Sequence, residues 1–209
     1  SLYSGVPKVF VGRNGIDPEE FQKYDEIERN PKKVVYISSP FRGLHTLLSL
    51  WPSILQREPK AELHVYYGWE SADKLGATST PEGAAMKQWI MDRIAGYGVH
   101  WHGRVGQPEL YRELASSGVW AYSSNWAEEH CISSYLAQAS GVWPVVFPVG
   151  ALPQSVVFGQ KVSEPDFVDA VVQSIRSGED RNRMKQWIRR WTSWSDVGAT
   201  WERLWTGGN

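Results

Sequence analysis

The residues best suited to chemistry lie in one polar segment, 123–133, which reads Ser-Ser-Asn-Trp-Ala-Glu-Glu-His-Cys-Ile-Ser and begins at Ser123. It joins an apolar run to a predicted helix. At such a helix start the first backbone N–H groups have no partner within the helix, and the helix dipole favours an anion such as phosphate. Here those groups would belong to Cys131, Ile132 and Ser133. The alternative is an ordinary strand-to-helix connection in which Glu128 and Glu129 complement the dipole.

The histidines offer two further kinds of chemistry. His130 could act as a general base because histidine titrates close to neutral pH, although a polar residue near a helix start is the commoner explanation. His100 and His102 alternate with Trp101 on one predicted strand and can face the same side of a sheet, but no third metal ligand is apparent. We therefore expect no metal and no cofactor. The single cysteine cannot form an intrachain disulfide and favours a reducing compartment.

Alternating strands and helices must position these residues. Short β-rich runs are predicted at 34–37, 63–67, 99–102, 119–122 and 143–147. Helical spacing is predicted at 43–55, 84–94, 109–115 and 132–139, and after residue 150 only helices follow, at 165–177, 180–194 and 196–205. This alternation is typical of a parallel sheet covered on both faces. The fold class is therefore a doubly wound, Rossmann-like α/β domain with C-terminal helices.

Ligands of such sheets bind beyond the carboxyl ends of the strands. The four connecting loops there are 38–42, 68–83, 103–108 and 123–131, and we expect them to converge on one site. The segment 70–83 is the longest polar stretch, and either an ordered lid or a surface loop fits its composition.

The bulk composition limits the class of partner. A chain of 209 residues with 42% hydrophobic residues can form one domain, and its net charge of -1 favours neither nucleic acid nor an anionic membrane. No apolar stretch approaches the roughly 20 residues that span a bilayer, and the start lacks the pattern of a signal peptide. We expect a cytoplasmic protein that binds a small ligand.

Five segments, in the same order along the chain, resemble the C-terminal domain of retaining glycosyltransferases of the group 1 type, family 4. They are 14–21, which begins Asn-Gly-Ile-Asp; 42–44, Arg-Gly-Leu; 67–69, Tyr-Gly-Trp; 102–110, which begins His-Gly-Arg-Val; and 128–146, which contains Glu-x-x-Cys-Ile-Ser and ends Pro-Val-Val. Each falls at an end of a predicted strand or helix, and together they span nearly the whole chain.

The resemblance implies roles in binding a nucleotide-diphosphate sugar. Arg42 matches a cation that grips the diphosphate, which a guanidinium can do with two hydrogen bonds; the alternative is a surface arginine, although a cation at a helix start opposes the dipole. Glu128 matches the carboxylate that contacts hydroxyls of the transferred sugar, with Glu129 in its place if the register slips by one. The remaining donor-binding positions implied are Gly43, Gly68, Gly103, Arg104, Ser123, His130, Cys131, Ile132 and Ser133.

The sequence departs from the family pattern in ways that bear on donor affinity. Leu136 stands where relatives have a second glutamate that accepts the ribose hydroxyls, and leucine cannot accept a hydrogen bond. His130 replaces a common Phe, Gln154 replaces a common Glu, and the Ser pair at 38–39 replaces Gly-Arg, which removes one of two expected phosphate cations. Ribose recognition must therefore be weaker, differently sourced or absent.

These features predict that residues 1–209 form the donor domain of a GT-B glycosyltransferase acting with retention and without metal. The N-terminal acceptor domain would be missing, so the chain alone should be inactive. The alternative is a catalytically silent, Rossmann-like interaction module. A helical stripe of five tryptophans is predicted to pack in the core, and any exposed part of it would favour self-association. The stripe consists of Trp187, Trp191, Trp194, Trp201 and Trp205.

Overall fold

Runs of buried apolar residues form one sheet at the centre of the protein. The computed structural model describes residues 10, 12–96, 98–177 and 180–207. Its strands are β1 (Asn30–Tyr36), β2 (Glu62–Tyr66), β3 (Val99–Gly103), β4 (Ser117–Tyr122), β5 (Trp143–Val146) and β6 (Gln160–Lys161). All neighbouring strands are parallel, in the order β3-β2-β1-β4-β5-β6. This is a doubly wound, Rossmann-like sheet, as predicted, and its order reverses between β1 and β4.

Helices cover both faces of the sheet, and those from the second to the seventh lie between successive strands. They are α1 (Pro18–Gln22), α2 (Leu44–Arg57), α3 (Glu70–Lys74), α4 (Pro81–Ile94), α5 (Gln107–Ala115), α6 (Ile132–Ala139), α7 (Leu152–Ser155), α8 (Glu164–Arg176), α9 (Arg181–Trp191) and α10 (Trp194–Trp205). Helix α2 shows why they pack: its apolar residues recur at helical spacing, so Leu44, Leu47 and Trp51 are all buried on one side. None of the described helices is both long and apolar enough to cross a bilayer.

Strands β1 and β4 occupy the middle of the core. Every residue of β4 is buried, and so are the last four residues of β1, because helices cover both faces of these strands. Tyr36, Trp120 and Tyr122 are among the largest fully buried side chains. The carboxyl ends of the two central strands are therefore rigidly held.

The first and last parts of the domain pair with each other. The amide of Ile16 donates a hydrogen bond to the carbonyl of Thr192 at 2.8 Å, and the amide of Trp194 donates one to the carbonyl of Ile16 at 3.0 Å. Ile16 is buried in a second, smaller apolar cluster that also contains Phe21 and Ile188. The segment before α1 thus lies against the junction of α9 and α10.

Two predictions about secondary structure are corrected. The chain after residue 150 is not purely helical, because Gln160 and Lys161 add a two-residue strand to the edge of the sheet beside β5. The segment 70–83 is not a plain loop, because it contains α3 and the first turn of α4, and Ala72 on α3 is buried. Both elements are too short to give a clear periodic signal.

The prediction that the tryptophan stripe packs in the core is wrong. All five side chains are exposed, from 37% for Trp187 and Trp201 to 79% for Trp205. Helix α9 turns Met184 and Ile188 toward the core instead, and α10 buries only Val197. The buried face of each helix is thus narrower than the apolar stripe.

Candidate functional site

A cavity of about 370 Å³ lies beyond the carboxyl ends of the central strands. Its walls come from the β1–α2 loop, the segment after β2, and the β4–α6 loop with the start of α6. This is the point where the strand order reverses, which is where sheets of this type bind ligands. The lining side chains with polar groups include Ser38, Ser39, Arg42, Glu128, His130 and Ser133.

A buried tyrosine holds the β1–α2 loop in shape. The Tyr36 hydroxyl donates to the carbonyl oxygen of Ser39 at 2.8 Å and lies 3.0 Å from that of Arg42. Complete burial raises the pKa of Tyr36, so the hydroxyl keeps its proton and remains a donor. The Arg42 backbone is therefore fixed while its side chain, 41% exposed, extends into the cavity.

The β1–α2 and β4–α6 loops touch at Gly43. Gly43 has a φ of 100°, a left-handed conformation that favours glycine, and a Cβ added there would lie 2.7 Å from the Ser123 carbonyl carbon and 2.8 Å from Ser124 Cα. The Ser123 hydroxyl donates to the Gly43 carbonyl at 2.9 Å. Ser123 is fully buried. Both residues therefore shape the site by joining its walls rather than by lining the cavity.

Glu128 is a buried carboxylate that lines the cavity. Its side chain is 7% exposed, and Oε1 lies 3.4 Å from Nη1 of Arg42. The Tyr122 hydroxyl donates to the same oxygen, and both burial and this hydrogen bond raise the pKa of Tyr122. Its backbone is held too, because the Ala151 amide donates to the Glu128 carbonyl at 2.8 Å.

Arg42 lies between Glu128 and an exposed aromatic ring. Its guanidinium carbon is 5.7 Å from the centroid of Trp126, within the range of a cation–π contact. In such an arrangement the partly exposed guanidinium can bind an anion. The carboxylate remains able to accept hydrogen bonds from neutral hydroxyl groups.

The start of α6 forms the remaining wall. Cys131 occupies the N-cap position and its side chain makes no hydrogen bond to the helix, so within the described part of the chain the cap residue leaves the first amides of α6 available. The Ser133 hydroxyl donates to the carbonyl of Ile37 at 3.1 Å and ties the helix start to the end of β1. Burial and the nearby Glu128 raise the pKa of the Cys131 thiol, which stays protonated and is therefore unsuited to act as a nucleophile.

A model of the family described as "Glycosyl transferases group 1" matches residues 17–191, which is most of the chain. The chain belongs to this family. Search of the curated proteins found no match.

Solved glycosyltransferase structures share the fold of this group 1 chain. AviGT4, a glycosyltransferase involved in avilamycin A biosynthesis, aligns with a TM-score of 0.73 and 17% identity over 98% of this chain and 60% of its own. A TarM variant from S. aureus, in complex with UDP among other ligands, aligns with a TM-score of 0.70 and 15% identity over 96% of this chain and 40% of its own. Anabaena Alr3699/HepE, in complex with UDP and glucose, aligns with a TM-score of 0.69 and 14% identity over 95% of this chain and 57% of its own. The group 1 chain thus spans only part of the length of these structures.

The structure brings together only part of the predicted donor site. Arg42, Glu128, His130, Ile132 and Ser133 line the cavity, and Gly43, Ser123 and Cys131 support its walls. The other predicted positions do not line it, and these are Gly68, Gly103, Arg104 and Glu129. Strand β3, which precedes two of them, is at the sheet edge, two strands and about 10 Å from β1. Glu129 is exposed, whereas Glu128 is buried and lines the cavity.

Sequence reasoning missed several residues of this site in the group 1 chain. Tyr36 and Tyr122 read only as strand residues, although a tyrosine at the end of a buried strand can carry its hydroxyl toward a ligand site. Gly150 has no periodic signal either, and its φ of 59° lets the chain pass within contact distance of the Glu128 backbone. Trp126 shows no signal in the sequence beyond its place in a polar loop.

His130 and Leu136, which differ from the family pattern, lie in different surroundings. His130 lines the cavity with its ring edge-to-face against Tyr135, 5.0 Å between centroids, and burial lowers its pKa, so it is neutral at pH 7. Leu136 is half-buried and packs against both apolar clusters. Its side chain is thus committed to the core of this group 1 domain rather than to the cavity.

Proposed function

We propose that the chain is the donor-binding domain of a GT-B glycosyltransferase and holds a nucleotide-diphosphate sugar in the cavity. The observation that carries this proposal is the position of the Arg42 guanidinium, 3.4 Å from the Glu128 carboxylate and beside the uncapped start of α6. A diphosphate needs a cation and free N–H groups, whereas a sugar needs hydrogen-bond acceptors. This cavity offers both within one small volume.

In this proposal catalysis consists mainly of stabilising the leaving group. Arg42 and the amides of Ile132 and Ser133 hold the diphosphate, whose negative charge increases as the bond to the sugar breaks. Glu128 accepts hydrogen bonds from the sugar hydroxyls and orients the anomeric carbon, and transfer proceeds with retention. Tyr122 keeps the Glu128 carboxylate in position. The charge of the diphosphate is offset by protein groups, so the proposal requires no metal.

We assign the acceptor site to a further domain, because the chain spans 37% to 60% of the glycosyltransferase structures that it matches. The chain alone is then expected to bind donor and to transfer no sugar.

The exposed tryptophans of α9 and α10 are the surface through which we expect self-association. Sedimentation at increasing concentration, compared with a Trp205→Ser variant, measures that association.

Calorimetric titration with UDP, GDP and their sugars tests the donor proposal. Removing the guanidinium in Arg42→Ala deletes a charge-assisted contact that contributes about 1.5–3 kcal/mol, so we expect the Kd to rise roughly 10-fold to 150-fold. Glu128→Gln keeps the shape of the side chain and should weaken the sugar nucleotide more than the free nucleotide. Arg112→Ala, at an exposed arginine of α5 outside the cavity, is the matched control and should change nothing.

The alternative function, a silent interaction module, is favoured by Leu136. Its packing against both apolar clusters leaves no acceptor at the position where relatives bind ribose. Flat titrations with every nucleotide, from a protein with native circular dichroism, would support the module and refute donor binding. Equal affinities for wild type and Arg42→Ala would likewise remove Arg42 from the site.

A further inference from the structure

A second group of side chains with metal-binding chemistry lies on β2 and β3, outside the donor cavity. His64 on β2 stands directly opposite His100 on β3 in the parallel register. Glu62 lies two residues before His64, and His102 two residues after His100, so all four share one face of the sheet. Three of the five histidines of the chain are thus concentrated on two neighbouring strands. None of the four residues lines the donor cavity.

Three of these residues can offer ligand atoms to one ion. One oxygen of Glu62 and one ring nitrogen each of His64 and His100 all lie within 4.8 Å of one another. The His64 and His100 rings are 4.6 Å apart between centroids, and His64 Nε2 is 3.5 Å from the Glu62 carboxylate. Nε2 makes no hydrogen bond within the described residues although it is buried. An acceptor nitrogen in that state is unsatisfied, and a bound cation would satisfy it.

The other nitrogen of His64 is already oriented. Nδ1 lies 3.0 Å from Nε2 of His102, so a proton on Nδ1 can be donated to His102 while Nε2 stays free. The His102 ring in turn stacks on Tyr66 at 4.4 Å, and the Tyr66 hydroxyl donates to Glu113 at 2.5 Å. Metal-binding histidines usually have such an outer partner, because it fixes the tautomer and the ring orientation.

The electrostatic environment keeps His64 in the form that binds metals. Burial, followed by the positive Lys33 and by His100, lowers the pKa of His64 to about 4. The imidazole is therefore neutral at pH 7, and no proton has to leave before a metal can bind. Lys33 itself is paired with Glu113, which offsets part of its repulsion of a cation.

We propose that Glu62, His64 and His100 bind one divalent transition-metal ion of the zinc type, with water in the fourth position. Two imidazoles and a carboxylate favour such an ion over Mg²⁺ or Ca²⁺, which prefer oxygen ligands. Tetrahedral bonds of about 2.0–2.1 Å bring ligand atoms to roughly 3.3 Å from one another. Glu62 and His100 are exposed and can rotate to close that gap.

The location points to a structural role rather than a catalytic one. Glu62 is the first residue of β2, whereas the donor cavity lies beyond the carboxyl ends of the strands. Strand β3 is the edge of the sheet and pairs only with β2 among the described strands. An ion bound there would join the edge strand to its neighbour through side chains, and it would do so whether or not the chain binds a sugar nucleotide.

Titration of tag-free, chelator-treated protein with Zn²⁺ tests this proposal. We expect one Zn²⁺ per chain by calorimetry, and a Zn²⁺-dependent rise in Tm, because a ligand that binds only the folded state stabilises it. His100→Ala and Glu62→Gln, both at exposed positions, should each raise the Kd more than about tenfold, the least that loss of even an outer-shell partner causes. His45→Gln on α2 is the control and should bind as wild type does.

Substitution of Co²⁺ for Zn²⁺ gives a second readout, since its visible spectrum reports the ligand geometry. The proposal is refuted if wild-type protein shows no saturable Zn²⁺ binding, or if His100→Ala retains the wild-type Kd. It is also refuted if His45→Gln weakens binding as much as His100→Ala does. Circular dichroism of each variant establishes that the folds compared are the same.

Discussion

Replacing Gly43 with alanine should destabilise the domain more than the same change at another left-handed glycine. Gly43 combines a φ of 100° with backbone atoms of Ser123 and Ser124 at 2.7 and 2.8 Å from the position of an added Cβ. Those atoms belong to the β4–α6 loop and cannot rotate away. The methyl group would therefore have to push apart the two loops that form the cavity.

The expected magnitude follows from two costs. The left-handed backbone costs a residue with a Cβ about 1–2 kcal/mol, and forcing a methyl group into a packed contact costs about 1–3 kcal/mol more. The sum of roughly 3 kcal/mol would lower the Tm by about 6–12 °C in a domain of this size. Gly76 isolates the first cost, because its φ is 71° and nothing lies within 4 Å of an added Cβ. Gly76→Ala should lower the Tm by only about 2–8 °C.

Urea unfolding followed by circular dichroism measures both variants against wild type. We expect Gly43→Ala to shift the unfolding midpoint at unchanged m, and to shift it about twice as far as Gly76→Ala does. Nucleotide affinity, measured on the folded fraction, should also fall in Gly43→Ala if the cavity binds a donor. Equal midpoints for the two variants would show that the loops yield to the methyl group, and the inference that their contact is rigid would be wrong.

Three other predictions concern single side chains. Tyr122→Phe removes the donor to the buried Glu128 carboxylate and should cost about 1–3 kcal/mol in urea unfolding, whereas Tyr67→Phe should cost almost nothing. Gly198→Ala, in an exposed part of α10 with no atom near an added Cβ, should stabilise by about 0.5–1 kcal/mol. Hydrogen bonds from Arg189 and, to a smaller extent, from Lys185 lower the pKa of Asp25 to about 2 from 3.8. The ionised Asp25 carboxylate therefore contributes about 1 kcal/mol to the free energy of unfolding after solvent screening. This contribution is present above pH 4 and is lost toward pH 2, so the free energy of unfolding of Asp25→Asn should depend less on pH in that range.

Sequence periodicity was sufficient for the main architecture. The central strands are continuous apolar runs because both of their faces are covered, and helix α2 repeats its leucines on one side, so both signals are strong. The predicted strand at 34–37 nevertheless begins too late. In the structure β1 starts at Asn30, which pairs with Ser117 of β4. The first residues of β1 are polar and partly exposed, so they lack the apolar signal of a buried strand.

The site was harder to predict because it depends on contacts between loops. Segment order indicated Arg42 and Glu128, which line the cavity, but it could not tell that Arg104 would lie beside the cavity, with Nη1 3.5 Å from Oγ of the cavity residue Ser71. Cross-strand register is equally invisible in a single sequence. His100 and His102 appeared to lack a third ligand because His64 lies on another strand and meets them only once the sheet has formed.

The pairing of Ile16 with Thr192 and Trp194 bears on how the protein is made. During synthesis Ile16 leaves the ribosome well before Thr192 and Trp194, the residues with which it forms hydrogen bonds. The apolar side chain of Ile16 lacks part of its cover until then, and contacts between such distant parts of a chain also form slowly. The nascent domain therefore completes its folding only after translation of α9, and until then chaperones or proteases can act on the region around Ile16.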